Sequence, residues 1–505
     1  YLQYRFILST TNTANSPTIA NIRVNLTNAN GTYALDADSI VDPNKAIKNQ
    51  TSRPVESEKL EYALYSTGSG ADGAITVSSN TGINTTNLIA GRTCVDGGDA
   101  VNYSVTGLTS TTATIESAPS IGCLAVGDEM LLINLRGTNT AMNNTGNWET
   151  LYVQSIASNI ITFTAAKTKY YGDGASDDTN VGVGTVAQAV MLQRVPNYTT
   201  VTVNASINFY PDAWVSPTGV VNNGAGEGGV MFFRATGAVA VNGTIHANAK
   251  GYIGATQNGA TGSGTGNGAA GGEAYCGAGG TGKDGGTAAT NGAAGGGGTV
   301  PGFGYCGGGG GGGAGTGGAG SATRGGAGGG SGGNTDAGIG GGGGGGYGGI
   351  GLRGQDYSAS SASVDGGTNQ SGKGGSGYGG GGGGGTYGDV NLTQLFFGSS
   401  GGAGGPYTSA NADGGNGGGI IYIAANSVTV SGNLQNNGAN GTSGGTSAYY
   451  TGGGGGAGGS IKVVGNTINL GTGLTTDSGG TGAIGTTNAN GGNGGVGRVA
   501  VNYGV

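Results

Sequence analysis

Three uninterrupted runs of seven glycines, Gly307–Gly313, Gly340–Gly346 and Gly379–Gly385, constrain this chain more than any other feature. Such runs have no side chains to bury, and glycine loses more freedom on ordering than any other residue. They stay a flexible linker unless something offsets that cost. Two observations oppose the linker reading. The runs lie in a glycine-rich insertion, residues 251–417, from which the chain returns to a near-copy of the segment before it. The insertion also carries Tyr275, Tyr305, Tyr347, Tyr378, Tyr387 and Phe396-Phe397 at intervals. The arrangement expected is a bundle of extended polyproline II-type helices, three residues per turn, hydrogen-bonded to one another where no Cβ intervenes. Irregular packed loops and disorder are the competing outcomes.

The flanking near-copies set the architecture. Gly229-Val-Met-Phe-Phe-Arg-Ala-Thr-Gly-Ala-Val-Ala-Val-Asn-Gly-Thr-Ile matches Gly418-Gly-Ile-Ile-Tyr-Ile-Ala-Ala-Asn-Ser-Val-Thr-Val-Ser-Gly-Asn-Leu. Ser460-Ile-Lys-Val-Val-Gly-Asn-Thr-Ile-Asn-Leu-Gly-Thr-Gly-Leu is a third copy, and Gly497-Arg-Val-Ala-Val-Asn-Tyr a half-copy. The alignment sets Val428, Val430 and Leu434 against Ile468, Leu470 and Leu474. One strand–turn–strand unit cannot bury its apolar face alone; stacked copies can. A β-solenoid or a stacked sandwich follows. Upstream, Ala74-Ile-Thr-Val-Ser, Tyr103-Ser-Val, Ala113-Thr-Ile, Met130-Leu-Leu-Ile-Asn-Leu, Tyr152-Val-Gln-Ser-Ile and Ile160-Ile-Thr-Phe-Thr recur at barrel-like spacing. The fold class expected is all-β: small β-barrel or sandwich domains, then a β-solenoid-like repeat domain with a polyglycine II-type insertion. The boundaries expected are a β segment over 1–67, a barrel over 68–215 and the repeat domain over 216–505.

Composition narrows the function classes. Of 505 residues 125 are glycine, yet they follow no strict three-residue period and only 9 prolines accompany them, which excludes collagen. Only 9% of residues are charged, unlike most disordered chains. A net charge of -7 with no basic stripe disfavours nucleic acid. No apolar run approaches the ~20 residues of a membrane helix. Tyr1 reads as the start of a mature or partial product. The cysteines group locally: Cys94 with Cys123, and Cys276 with Cys306, the latter two in matching Tyr-Cys-Gly contexts. Two disulfides would place the chain in an oxidising, extracellular setting; four buried thiols are the alternative.

Candidate chemistry is sparse. His246 is the only histidine, and its repeat counterpart is Gln435, which makes it an ordinary surface position. Asp336, Asp356, Asp365, Asp389, Asp413 and Asp477 are scattered, without the close pairing that glycoside cleavage needs. Dinucleotide-like glycine patterns lack the strand–helix context that gives them meaning. Asp36, Asp38 and Asp42 place oxygens close enough in sequence to make calcium a candidate ligand, as do Asp173, Asp177 and Asp178; solvated turn acids are the competing reading. N-glycosylation sequons stand at Asn25, Asn30, Asn49, Asn84, Asn102, Asn143, Asn197, Asn204, Asn242, Asn369, Asn391 and Asn440.

Leu192-Gln-Arg-Val-Pro-Asn-Tyr-Thr-Thr-Val-Thr-Val, Gly229-Val-Met-Phe-Phe-Arg-Ala-Thr-Gly, Asn242-Gly-Thr-Ile and Lys250-Gly-Tyr-Ile-Gly together resemble bacterial glycine-rich secreted surface proteins. The glycine-rich part also resembles, by composition, polyglycine-bundle adhesins of phage tail-fibre tips. Both resemblances imply an extracellular structural or adhesive role and supply no catalytic motif. The function expected is a non-enzymatic, secreted cell-surface protein: the subunit of a fibre or adhesive matrix, needing no cofactor unless calcium. A glycan- or receptor-binding adhesin tip is the alternative, and a polysaccharide-acting enzyme the third reading. Strand-like segments at Tyr1–Ser9 and Val499–Tyr503 suggest head-to-tail contacts between copies, with surface glycans as further partners.

Overall fold

The computed structural model describes residues 66–138, 141–182, 187–217, 226–256, 269–277, 327–329, 340–355, 380–405, 412–443, 451–485 and 489–503, together with two earlier strands. The chain divides into two compact units, Tyr1–Ala63 and a second unit running from Leu64 to Tyr503. In the first unit β1 (Arg23–Asn28) and β2 (Gly31–Asp36) pair as an antiparallel hairpin. The described residues form no helix, and none is long and apolar enough to cross a membrane. The fold is all-β.

The second unit is a two-sheet parallel β-solenoid that carries a barrel as an insertion. Its first layer is β3 (Ile75–Val77) and β4 (Thr81–Gly82). The barrel follows: β5 (Asn102–Leu108), β6 (Thr112–Ile115), β7 (Glu129–Arg136), β8 (Trp148–Ala157), β9 (Ile160–Phe163) and β10 (Ala189–Arg194). These six close as β10-β5-β6-β9-β8-β7, antiparallel throughout. The solenoid then resumes with β11 (Asn197–Tyr198), β12 (Val201–Val203) and β13 (Asn208–Tyr210). The three repeat copies and the half-copy supply β14 (Val230–Val241), β15 (Thr244–His246), β16 (Ile420–Val430), β17 (Asn433–Gln435), β18 (Ser460–Asn469), β19 (Thr475–Thr476) and β20 (Arg498–Tyr503). One sheet runs β20-β18-β16-β14-β12-β3, the other β19-β17-β15-β13-β4, and every ladder in both is parallel.

The barrel therefore occupies a narrower span than 68–215, because β3, β4 and β11–β13 belong to the solenoid. Ile75-Thr-Val77 pairs in parallel with Val201-Thr-Val203, a partner far along the chain. Local alternation marks a strand but does not reveal which sheet it joins. The repeat register matches the alignment at Val428↔Ile468, yet Leu434 pairs with Thr475 and not Leu474. The turn Gly471-Thr-Gly-Leu474 is one residue longer than its counterpart Ser431-Gly-Asn433.

The long strands have two halves with different surroundings. In β14 the second half alternates, and Val239 and Val241 join Val201, Val203, Val428 and Val430 in stacked rows inside the solenoid. Phe209, Ile245 and Leu434 meet them from the second sheet. The first halves are buried on both faces. Phe233 faces inward with Tyr198, whereas Phe232 stacks on Tyr422 at 4.0 Å and both meet the edge of Trp148 from β8. Burial of each such side chain contributes about 1.5–3 kcal/mol. A register shift between Ala235 and Ala238 separates the halves of β14.

Candidate functional site: a six-neighbour glycine lattice

The glycine-rich segments enter and leave the solenoid layers and pack into one hydrogen-bonded lattice. The strand 452–459 shows its rule. Gly452, Gly455 and Gly458 donate their amides to Ala489, Gly492 and Gly495. Gly453, Gly456 and Gly459 donate to Thr442, Ala439 and Asn436, and Gly454 and Ala457 to Gly402 and Ser399. Three acceptor strands are thus met in strict rotation, one per residue, as a three-residue helical turn requires. Its carbonyls accept in the same rotation. Gly342 and Gly345 donate to Gly452 and Gly455, Ala483 and Gly480 to Gly453 and Gly456, and Gly415 and Gly418 to Gly454 and Ala457.

The strand 341–345 repeats the pattern. Its amides go to the 352–355, 452–455 and 329 segments, and its carbonyls accept from the 381–384, 492–495 and 402 segments. Each of these two inner strands therefore has six neighbours, the hexagonal packing of close-set rods. Backbone pairing replaces a hydrophobic core, which offsets the entropy of ordering glycine. Close approach explains the residue choice. A Cβ placed on Gly454 would stand 2.0 Å from the Gly343 carbonyl oxygen, and one on Gly343 2.0 Å from that of Gly382.

The lattice extends beyond the insertion at 251–417. Segments 436–443, 451–459, 477–485 and 489–497 belong to it as well, because each connects strands of successive solenoid layers. Of the three glycine runs, Gly340–Gly346 is described throughout and Gly379–Gly385 from Gly380; Gly307–Gly313 lies outside the described residues.

Asparagines finish the outer strands. The Asn437 and Asn440 side-chain oxygens accept the amides of Ser478 and Thr481, and the next residues, Gly438 and Gly441, donate their amides back to the Ser478 and Thr481 carbonyls. Asn416, Asn490 and Asn493 accept from Gly254, Gly485 and Gly482. Asn248 accepts from Asn437, which extends one column through three layers. Sequence reasoning missed this capping role, having named Asn440 only as a sequon. Its signal was present as Asn-Gly at three-residue spacing, Asn437/Asn440 and Asn490/Asn493.

One apolar cluster joins lattice, solenoid and barrel: Tyr347, Tyr387, Phe396 and Phe397 meet Phe232 and Tyr422, and Leu131, Ile133 and Trp148. Tyr387 donates its hydroxyl to the Phe397 carbonyl at 2.6 Å, and the Tyr347 hydroxyl lies 2.7 Å from Ser460 Oγ. Buried ion pairs add orientation. Arg136 of β7 pairs with Glu273 of a lattice segment, and Trp214 Nε1 donates to the same carboxylate at 3.1 Å. Arg194 of β10 bridges Asp72 and Asp128.

Among the expected site residues, Cys94 and Cys123 form a disulfide; Cys276 is disulfide-bonded too, and Cys306, its expected partner, lies outside the described residues. Asp36 stands on β2, whereas Asp38 and Asp42 are outside the described residues. Asp173 accepts from Thr179 and Asn180, Asp177 from Gly174 and Thr179, and Asp178 from Tyr171 while pairing with Lys167. These three act as turn acids whose oxygens are engaged within the loop. No group of three or more metal-ligating side chains occurs among the described residues.

Two sequons need correction. Asn84 and Asn197 are buried, and their side-chain amides donate to Ala100 and to Glu129 and Val195, so no sugar can be attached to them in the folded chain. Asn102 is half-buried; Asn143, Asn204, Asn242, Asn391 and Asn440 are exposed. Asn25 stands on β1, and Asn30, Asn49 and Asn369 are outside the described residues. His246 pairs with Gln435 across the ladder and stacks on Tyr210 at 5.3 Å; burial, then the Lys250 charge, hold its pKa below the ordinary value.

No family model matches this chain, and no curated protein does. Solved structures with a partial likeness include the tailspike gp61 of Pseudomonas phage phi297, at 14% identity over 34% of this chain and 24% of that one, with a TM-score of 0.13. The tailspike gp49 from Pseudomonas phage LKA1 is 15% identical over 35% and 27%, with a TM-score of 0.14. The Gp54 tailspike of Acinetobacter baumannii bacteriophage AP22, in complex with A. baumannii capsular saccharide, is 12% identical over 35% and 32%, with a TM-score of 0.15. The matched regions span about a quarter to a third of those proteins.

Proposed function

We propose that this chain is a non-enzymatic, extracellular structural protein, the subunit of a surface fibre or adhesive layer. The observation that carries the reading is the six-neighbour lattice keyed layer by layer to a parallel solenoid. Every amide of the 452–459 strand is spent on a neighbouring backbone, so the region is a stiff block built without a side-chain core. Such a block suits load bearing and display. The Cys94–Cys123 disulfide supports an oxidising location. Two buried acids that could serve catalysis are committed to ion pairs, Glu129 with Arg234 and Glu273 with Arg136.

Assembly from identical copies is part of the proposal. Strand β20 pairs with β18 and with no other described strand, and both sheets are parallel throughout, so a further parallel layer from a second copy would extend them. Main-chain pairing of that kind gives affinity without a special side-chain pattern. Contacts that do not close into a ring build filaments. Electron microscopy of the native material should show a subunit repeating along an axis. Dispersed single particles under all assembly conditions would overturn the filament reading.

A second reading rests on one surface feature. Ser478 and Thr481, and Asn493 across from them, are exposed polar residues on the outer lattice strands, the first two at three-residue spacing. Rows of hydroxyls and amides suit glycan contact, and the adhesin alternative predicts saturable binding of a defined glycan by single particles. Resemblance to bacterial glycine-rich surface proteins accords with either reading.

A further inference from the structure

We infer that the lattice shields its own Asn–Gly bonds from spontaneous deamidation, which makes this face chemically durable as well as stiff. Asn-Gly is a labile dipeptide because glycine offers no side chain to hinder cyclisation. The Gly amide nitrogen loses its proton to hydroxide and attacks the Asn side-chain carbonyl carbon. A new C–N bond closes a five-membered succinimide, and the C–N bond to the side-chain nitrogen breaks, releasing ammonia. Water then opens the ring, giving Asp or, by the other bond, isoaspartate with an extra carbon in the main chain. In a three-residue lattice that extra carbon would shift the register of all that follows.

Cyclisation needs a free Gly amide and a side chain folded over it, with the reacting atoms close and aligned. The five described Asn–Gly pairs of the lattice meet neither need. At Asn416, Asn437, Asn440, Asn490 and Asn493 the side-chain oxygen accepts the amide of another segment at 2.7–2.8 Å. The following glycine amides donate to Tyr252, Ser478, Thr481, Ala483 and Gly480, each at 2.9 Å. At Asn437 and Asn440 one residue of the next layer holds both ends, donating to the side chain and accepting from the glycine. The nucleophile and the electrophile of the reaction are thus held apart by the bonds that close the lattice. Asn440 and Asn493 are solvent-exposed, so the protection comes from these bonds and not from burial.

The test incubates native and denaturant-unfolded protein in mildly alkaline buffer and follows amide-to-acid conversion by peptide mass mapping. The five sites should react about a hundredfold or more slowly in the native protein, the factor being set by how rarely each strand opens. A second arm uses Thr481→Pro, which deletes the amide that holds Asn440 and suits the extended lattice conformation. Asn440 should then deamidate faster than in the wild type, yet more slowly than in the unfolded chain because Gly441 still donates to the carbonyl of residue 481, with Asn416 and Asn490 unchanged as internal evidence that the lattice persists. Native sites that react at the unfolded rate overturn the inference. So does an Asn440 that stays inert in the Thr481→Pro variant while the rest of the lattice is intact.

Discussion

The guanidinium Nε of Arg234, on solenoid strand β14, lies 2.9 Å from Glu129 of barrel strand β7, and both side chains are 1% exposed. Two charges so deeply buried cost more to desolvate than their attraction returns, unless further partners complete the set. Here Asn197 donates to Glu129 and Arg234 reaches the Ser66 carbonyl. The pair fixes how the barrel sits against the solenoid sheet that β11 joins.

Breaking that pair should therefore be severe, and replacing it should not. Arg234→Met alone leaves a buried carboxylate and should cost about 3–5 kcal/mol in denaturant unfolding. The double variant Arg234→Met, Glu129→Leu should recover at least half of that loss. Additive losses in the two single variants and the double would show that the charges do not act as a pair.

Glycine at the centre of the lattice is a steric requirement, whereas glycine in a turn is a conformational one. Gly454→Ala would drive a methyl group into the backbone of the 341–345 strand, which cannot move without its own six neighbours. A loss of about 3 kcal/mol, the upper end of overpacking penalties, is expected. Gly473, with φ of +73° and nothing within 4 Å of its missing Cβ, is the control, with a cost of about 1 kcal/mol for the left-handed conformation. Equal losses from the two substitutions would contradict six-neighbour packing.

Much of this fold was legible in the sequence, for reasons that differ by element. The solenoid could be read because its repeats align closely, with His246 opposite Gln435, although a register shift interrupts β14 and Leu434 pairs with Thr475. The lattice could be read as a bundle from the glycine runs, but its extent could not. Segments such as 489–497 carry few glycines in a row, and membership depends on neighbours distant in sequence. The same limit hid Ile75-Thr-Val77 in the barrel block, since parallel pairing leaves no short-range mark. The asparagine caps went unseen because Asn-Gly reads first as a turn signal. Arg234 sits within the copied apolar segment, where its Ala424 counterpart gives no hint of a partner on the barrel.

Glu227 gives the protein a dependence on pH. Burial, and then the nearby Glu116 carboxylate, raise its pKa from 4.5 to about 7. Folding thus favours the protonated acid. Between pH 4.5 and about 7 the folded chain keeps a proton that the unfolded chain has released, so stability falls as pH rises through that window. The whole shift corresponds to about 3 kcal/mol as an upper limit. Glu227→Gln, which stays neutral, should flatten this part of the curve. The difference between wild type and variant isolates Glu227 from the other carboxylates, and parallel curves for the two proteins would refute the assignment.

Hydrogen exchange should read the lattice directly, because its geometry imposes a period on protection. On the inner strand 452–459 every amide has a backbone acceptor, so the whole strand should exchange slowly. The outer strand differs. Gly491, Gly492, Gly494, Gly495 and Gly497 donate to Ala483, Gly342, Gly480, Gly345 and Asp477, while the amides of Asn490, Asn493 and Val496 have no backbone acceptor among the described residues. A three-residue turn points one amide in three away from the lattice, and those positions carry the side chains. Exchange along 490–497 should therefore run fast, slow, slow, with glycines protected and Asn490, Asn493 and Val496 open. No helix or two-residue strand pattern produces that rhythm. Uniformly rapid exchange on both strands would refute the lattice. If copies assemble through this face, the fast positions alone should slow in the assembled material, while 452–459 stays unchanged. Assembly that leaves Asn493 and Val496 as fast as before would place the contact elsewhere on the molecule.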